Sequence, residues 1–241
     1  MDEDKIPLTA HLEELRNRLI ACLIAVGIGF AFSYYFSEKI FFILASPLQE
    51  LLPENNSFIF TNVTEAFFTY LKLAIFSGIF LAFPVILYQT WCFIAPGLYQ
   101  HERRYAVPFV ILSTFFFLGG TSFGYFLVLP IAFKFFMGYN TQYLKLLPSI
   151  SQYLSFSCKF LLAFGIVFEM PVFILFLSRM GIVTSQQLKS NRRIVIVCVF
   201  IVAAFLTPPD VVSQVLMAGP LIILFEISII TAQIFGKKVE D

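Results

Sequence analysis

Six apolar stretches, separated by polar connections, set the organisation of the chain. Leu19 to Phe36 carries no charge over 18 residues, close to the roughly 20 needed to cross a bilayer as a helix. Phe67–Thr90, Val107–Leu129, Tyr153–Leu177, Ile194–Leu206 and Val215–Phe235 follow. The pattern predicts an all-α polytopic membrane protein, one integral domain over residues 1–241 with six transmembrane helices. The fifth stretch is only 13 residues long, roughly 20 Å of helix against a hydrocarbon core of about 30 Å. It can form a re-entrant hairpin with the sixth, or the fifth and sixth are both short spans around which the bilayer thins. Short spans are the expectation.

The connections are patterned too. In residues 1–18, Leu12, Leu15 and Leu19 share a helical face and Glu13, Glu14, Arg16 and Arg18 crowd the others, the signature of an amphipathic helix. Ile40, Phe41, Leu44, Leu48, Leu51 and Leu52 recur at helical spacing, which predicts a helix in the membrane interface, bent at Pro47. Pro84 predicts a kink in the second span. Ser113, Gly119, Gly120, Ser122 and Gly124 allow the third span a close helix contact. Residues 178–193 read as a polar loop, and Thr207-Pro208-Pro209-Asp210 ends the fifth stretch.

Composition strengthens this picture. Of 241 residues, 59% are hydrophobic and 13% charged, where a soluble domain has about 45–50% and about 25%. The first 18 residues lack the basic start of a cleavable signal peptide, so the first span is expected to stay in the membrane. A net charge of +1 provides no field for nucleic acid. The four cysteines are scattered without a CxxC pair, and His11 and His101 stand far apart. No metal, no cofactor and no nucleophilic triad is expected, so the chain does not read as an enzyme. Segments 1–18, 91–106, 178–193 and 236–241 hold three, two, four and two Lys or Arg, eleven in all. The opposite connections, 37–66, 130–152 and 207–214, hold one, two and none, three in all. That bias predicts both termini in the cytoplasm.

Three carboxylates stand out on this topology. In Phe93–Arg104, FIAPGLYQHERR, a Pro-Gly break precedes His101, Glu102, Arg103 and Arg104. The arginines can be topology anchors with Glu102 as a solvated neighbour, or Glu102 can receive a basic group. Glu14 lies on the same predicted side. Two such carboxylates with nearby aromatics suit two guanidinium groups, because the planar fork of Arg binds carboxylate bidentately and Lys cannot. Glu169 lies within the fourth span, with Pro171 two residues on. It is either a helix break beside a polar cavity or a protonated carboxyl bonded to a neighbouring helix. Taken alone, Glu169 also fits a proton-coupled secondary transporter, although no inverted repeat is visible.

HLEELRNRL (11–19), PGLYQHERR (96–104), FGIVFEMP (164–171) and TPPDVVSQ (207–214) together resemble the TatC family, the core membrane subunit of the twin-arginine protein translocase. The four stretches occur in the family's order, and the resemblance covers essentially the whole chain. The resemblance implies a concave, glove-like bundle in the bacterial cytoplasmic (inner) membrane. It implies recognition of twin-arginine signal peptides on folded cargo, driven by the proton motive force. Glu14 and Glu102 fall on the family's motif-binding carboxylates. Arg16, Arg18, Phe93, Tyr99 and Arg103 belong to the same surface, and Glu169 falls on its intramembrane polar residue. Pro47, Asp210 and Gln214 fall on exterior positions tied to function and partner contact, with Glu226 of the sixth span grouped with them. The implied partners are single-span TatA- and TatB-type subunits, in hetero- and homo-oligomeric assembly within the lipid bilayer.

Overall fold

A computed structural model describes residues 8–50, 62, 64–94, 106–138, 149–206 and 211–236. Among them the regular structure is helical. In chain order the helices are α1 (Leu8–Tyr35), α2 (Ser37–Gln49), α3 (Glu65–Ile94), α4 (Ala106–Phe123), α5 (Leu129–Met137), α6 (Ile150–Phe168), α7 (Met170–Arg179), α8 (Ser185–Ser190), α9 (Arg192–Leu206) and α10 (Val211–Phe235). A π turn, Gly124–Val128, joins α4 to α5. Among the described residues, five helical stretches are long and apolar enough to cross a membrane: His11–Tyr35, Glu65–Ile94, Val107–Met137, Ile150–Arg179 and Val211–Phe235.

The amphipathic N-terminal segment, from Leu8, and the first span form one helix. Nothing in Leu8–Tyr35 interrupts it: there is no proline, and its glycines lie where a partner approaches or where nothing is close. α3 likewise continues as helix through Pro84. The expected short sixth span is not found, because α10 runs 25 residues straight through Pro220. Of the two stretches expected to be short, only the fifth is, as α9 with 15 residues. The polar loop at 178–193 contains α8, which opens on a capping box: Thr184 accepts from the Gln187 amide, and the Gln187 side chain accepts from the Thr184 amide. α7 ends where Gly181 takes a φ of 76°. There Ile182 N–H donates to Leu177 O and Gly181 N–H to Ser178 O, the pattern that closes a helix on a left-handed glycine.

Contacts divide the chain into two units, residues 1–41 with 70–114, and residues 42–69 with 115–241. In the first, α1 packs antiparallel on α3. Gly29 meets Gly78, Arg18 meets Gln89 and His11 meets Phe93, so partners climb α3 as they descend α1. The two glycines bring backbone against backbone. A Cβ on Gly78 would lie 2.6 Å from the Phe30 nitrogen, and one on Gly29 2.6 Å from the Gly78 carbonyl oxygen. Gly78→Ala therefore has to push the helices apart. It is expected to cost on the order of 1–3 kcal/mol, read as a lower melting temperature in detergent. Gly27→Ala, where a Cβ meets nothing within 4 Å, serves as the control that stays near wild type.

In the second unit the small residues of the third span meet α6, as the sequence expects. A Cβ on Gly120 would strike the Phe168 side chain and one on Gly165 the Phe117 ring. Gly119 faces open space and takes no part. The core gathers Val128, Leu129, Phe160, Phe164, Val199, Ala203, Met217 and Leu221 from α5, α6, α9, α10 and the π turn. Pro47 sits inside α2 and has no N–H to give the carbonyl four residues back. That carbonyl, Ile43 O, accepts instead from the Tyr125 hydroxyl of the π turn. Leu44 O accepts from Tyr153 of α6 at 2.7 Å. A buried carboxylate, Glu65 at the start of α3, ties its own N-terminal turn to the start of α6. It accepts from Asn62 N–H at 3.2 Å, Ser149 Oγ at 2.6 Å and Ser151 N–H at 3.2 Å.

Candidate functional site

The N-terminal part of α1 and the C-terminal part of α3 frame a cleft of about 450 Å³, lined by Glu13, Glu14, Asn17, Arg18, Ala21 and Gln89. The helical period decides what each carboxylate does. Glu14 and Arg18 are one turn apart on the face toward α3, and Glu13 is rotated about 100° away. Arg18 Nη2 donates to Glu14 Oε1 at 3.2 Å, with the two side chains 34% and 28% exposed. Its Nη1 donates to Gln89 Oε1 across the helix pair at 3.0 Å. Glu13 pairs outward with Arg16 at 3.4 Å, both 66% exposed. Of the two adjacent acids, Glu14 is thus the one held against α3.

Toward the N-terminus the cleft is flanked by a ring contact. His11 stacks on Phe93 with centroids 4.5 Å apart and planes 24° from parallel. The structure therefore brings Glu14, Arg18 and Phe93 to one end of the α1–α3 pair and turns Arg16 outward. Gln89 is a member the sequence did not single out. Its only signal was an amide near the end of an otherwise apolar stretch. Tyr99, Glu102 and Arg103 lie outside the described residues.

The other candidates lie in the second unit. Glu169 stands at the break between α6 and α7, where its N–H donates to Ile166 O and Phe173 N–H donates to Glu169 O. Pro171, second residue of α7, explains the break, since it cannot continue the α6 ladder. Gln214, on the first turn of α10, donates its amide to Phe200 O of α9 at 3.0 Å. Glu226 accepts from Arg192 Nη2 at 2.7 Å, with the pair nearly half exposed. Asp210 lies outside the described residues. Among the described residues, no group of three or more His, Cys, Asp or Glu is placed to hold a metal ion.

Comparison with known proteins covers nearly the full chain. Residues 10–220 match the family described as Sec-independent protein translocase protein (TatC). The chain belongs to the TatC family. The TatC protein of Desulforapulum autotrophicum is 52% identical over 98% of this chain and 88% of its own length. That of Escherichia coli K12 is 43% identical over 98% of this chain and 92% of its own. A crystal structure described as the twin arginine translocase receptor TatC superposes with a TM-score of 0.83 at 43% identity, covering 93% of this chain and 98% of that one. A second, in DDM, gives 0.84 at 42% identity, covering 95% and 100%. Membership in a translocase family sets aside both an enzymatic role and the transporter alternative drawn from Glu169 alone. It makes the chain a component of the Tat machinery that works with other Tat subunits.

Proposed function

We propose that this TatC-family chain is the receptor for twin-arginine signal peptides and the core of a translocase that carries folded proteins across the bacterial cytoplasmic membrane. The observation that carries the reading is the cleft between α1 and α3. Its central carboxylate, Glu14, is already engaged with a guanidinium, the group the peptide would bring. A site that fits one guanidinium between a carboxylate and an amide is built for planar, multi-donor cations. Glu102 supplies the second carboxylate, one for each arginine of the motif. Lys and Arg counts favour the cytoplasm for this end of the helices, where signal peptides are encountered. Single-span TatA- and TatB-type subunits are the partners. The energy source is the proton motive force.

Photocrosslinking tests this directly. A photoreactive residue at position 101, beside an intact Glu102, should capture a twin-arginine peptide in inverted vesicles, whose cytoplasmic face is outward. It should capture little of the twin-lysine control, and little of either in right-side-out vesicles. Equal capture of both peptides would overturn the recognition reading. Capture only in right-side-out vesicles would overturn the orientation.

A further inference from the structure

We infer that Arg18 is a built-in competitor for Glu14, and that Gln89 is the mooring to which it retires when a signal-peptide arginine enters. This rests on the reading of the cleft as the receptor site.

The geometry is that of a guanidinium shared between two hosts. Arg18 gives one terminal nitrogen to Glu14 on its own helix and the other to Gln89 on α3. It therefore meets the carboxylate through one nitrogen, not as a two-nitrogen fork. A partly exposed, single-contact pair of this kind contributes little. An incoming arginine that presents both nitrogens to Glu14 makes the stronger, bidentate contact. Ala21, one turn along α1 from Asn17, offers only a methyl group, and the cleft beside the pair has room for another side chain. The displaced Arg18 keeps its bond to Gln89, whose oxygen is neutral and is not wanted by the peptide's charge more than by Arg18's.

The consequence is selectivity by exclusion. A lysine brings a compact ammonium with no planar fork. At Glu14 it gains no more than the contact Arg18 already makes, so it has no advantage with which to displace it. Discrimination between arginine and lysine then comes partly from what the cleft holds when empty of peptide, in the manner of a device that disfavours the wrong partner.

The experiment measures binding of fluorescent twin-arginine and twin-lysine signal peptides to the full chain in nanodiscs. Arg18→Gln removes the competitor. Twin-lysine binding should tighten by about fivefold, the scale of a partly exposed ion pair, and the arginine-to-lysine preference should shrink accordingly. Gln89→Leu removes the mooring and leaves Arg18 on Glu14, so twin-arginine binding should weaken by a similar factor. The double variant Arg18→Gln/Gln89→Leu should recover it, a non-additivity that a double-mutant cycle detects. Arg18→Lys, which keeps the charge without the fork, should fall between wild type and Arg18→Gln, and size-exclusion profiles show whether each variant is folded. If Arg18→Gln weakens both peptides equally, Arg18 only positions Glu14 and the inference is overturned. It is overturned as well if the double variant stays as weak as Gln89→Leu. Glu14→Gln separates the two levels: twin-arginine binding that ignores Glu14 defeats the receptor reading itself. Binding that depends on Glu14, with an arginine-to-lysine preference that Arg18→Gln leaves unchanged, defeats only the competition.

Discussion

A Glu14→Gln variant should lose affinity for a twin-arginine peptide by roughly 10- to 150-fold, the factor that about 1.5–3 kcal/mol of charge-assisted hydrogen bonding represents. The substitution keeps the shape of the side chain and one acceptor oxygen, and removes the charge. It also releases Arg18, whose remaining partner would be Gln89. The released guanidinium adds a repulsive charge at the mouth of the cleft, so the loss should lie toward the upper end of that range and should ease as salt is raised. Glu13→Gln is the comparison. Its carboxylate faces outward to Arg16 and is two-thirds exposed, and pairs so exposed contribute about 0–1 kcal/mol. Titration of both variants with labelled peptide decides the matter. If Glu13→Gln proves the more damaging, the helical phase assigned to α1 is wrong.

The largest effect on stability is expected at Glu65, far along the chain from the cleft. Glu65→Ala leaves the buried Ser149 hydroxyl and two partly buried backbone N–H groups, those of Asn62 and Ser151, to find other acceptors. The buried hydroxyl alone costs about 1–3 kcal/mol, and the two partly buried N–H groups, which water can reach, add less. Glu65→Gln is more discriminating. The three donors are divided between the two carboxylate oxygens, with Asn62 on one and Ser149 and Ser151 on the other. An amide has only one acceptor oxygen, so it can serve one side and must face the other with its own N–H. Its melting temperature in detergent should fall between those of wild type and Glu65→Ala. Glu65→Gln melting with wild type would show that the carboxylate does not hold these segments together.

Glu65 also shows what the sequence could not reveal. Two of its partners, Ser149 and Ser151, lie more than eighty residues away at the start of α6, and no local pattern announces that pairing. It reads as the last polar residue of a mixed connection. Gln89 is obscured in a related way, because its meaning depends on Arg18 of another helix. By contrast, features governed by neighbours in sequence are legible. Pro171 foretells the break at Glu169, and apolar runs foretell the spans. The spacing of Glu14 and Arg18 foretells a shared face. α10 differs from expectation at its start, where helix begins at Val211 and takes in Ser213 and Gln214, which the apolar run leaves out. α8 was within reach, since Thr184-Ser185-Gln186-Gln187 spells the capping box that starts it.

The meeting of Gly29 and Gly78 bears on how the cleft can work. With no side chains between the two backbones, the helix pair has a fulcrum there. Arg18 lies 11 residues from Gly29, and Gln89 lies 11 from Gly78, a lever of about 16 Å at the helical rise. About 1 Å of widening at the cleft then needs a tilt of only about 4° around that point. Such a tilt would part the tips like tongs while the pivot, where Gly29 meets Gly78, stayed closed.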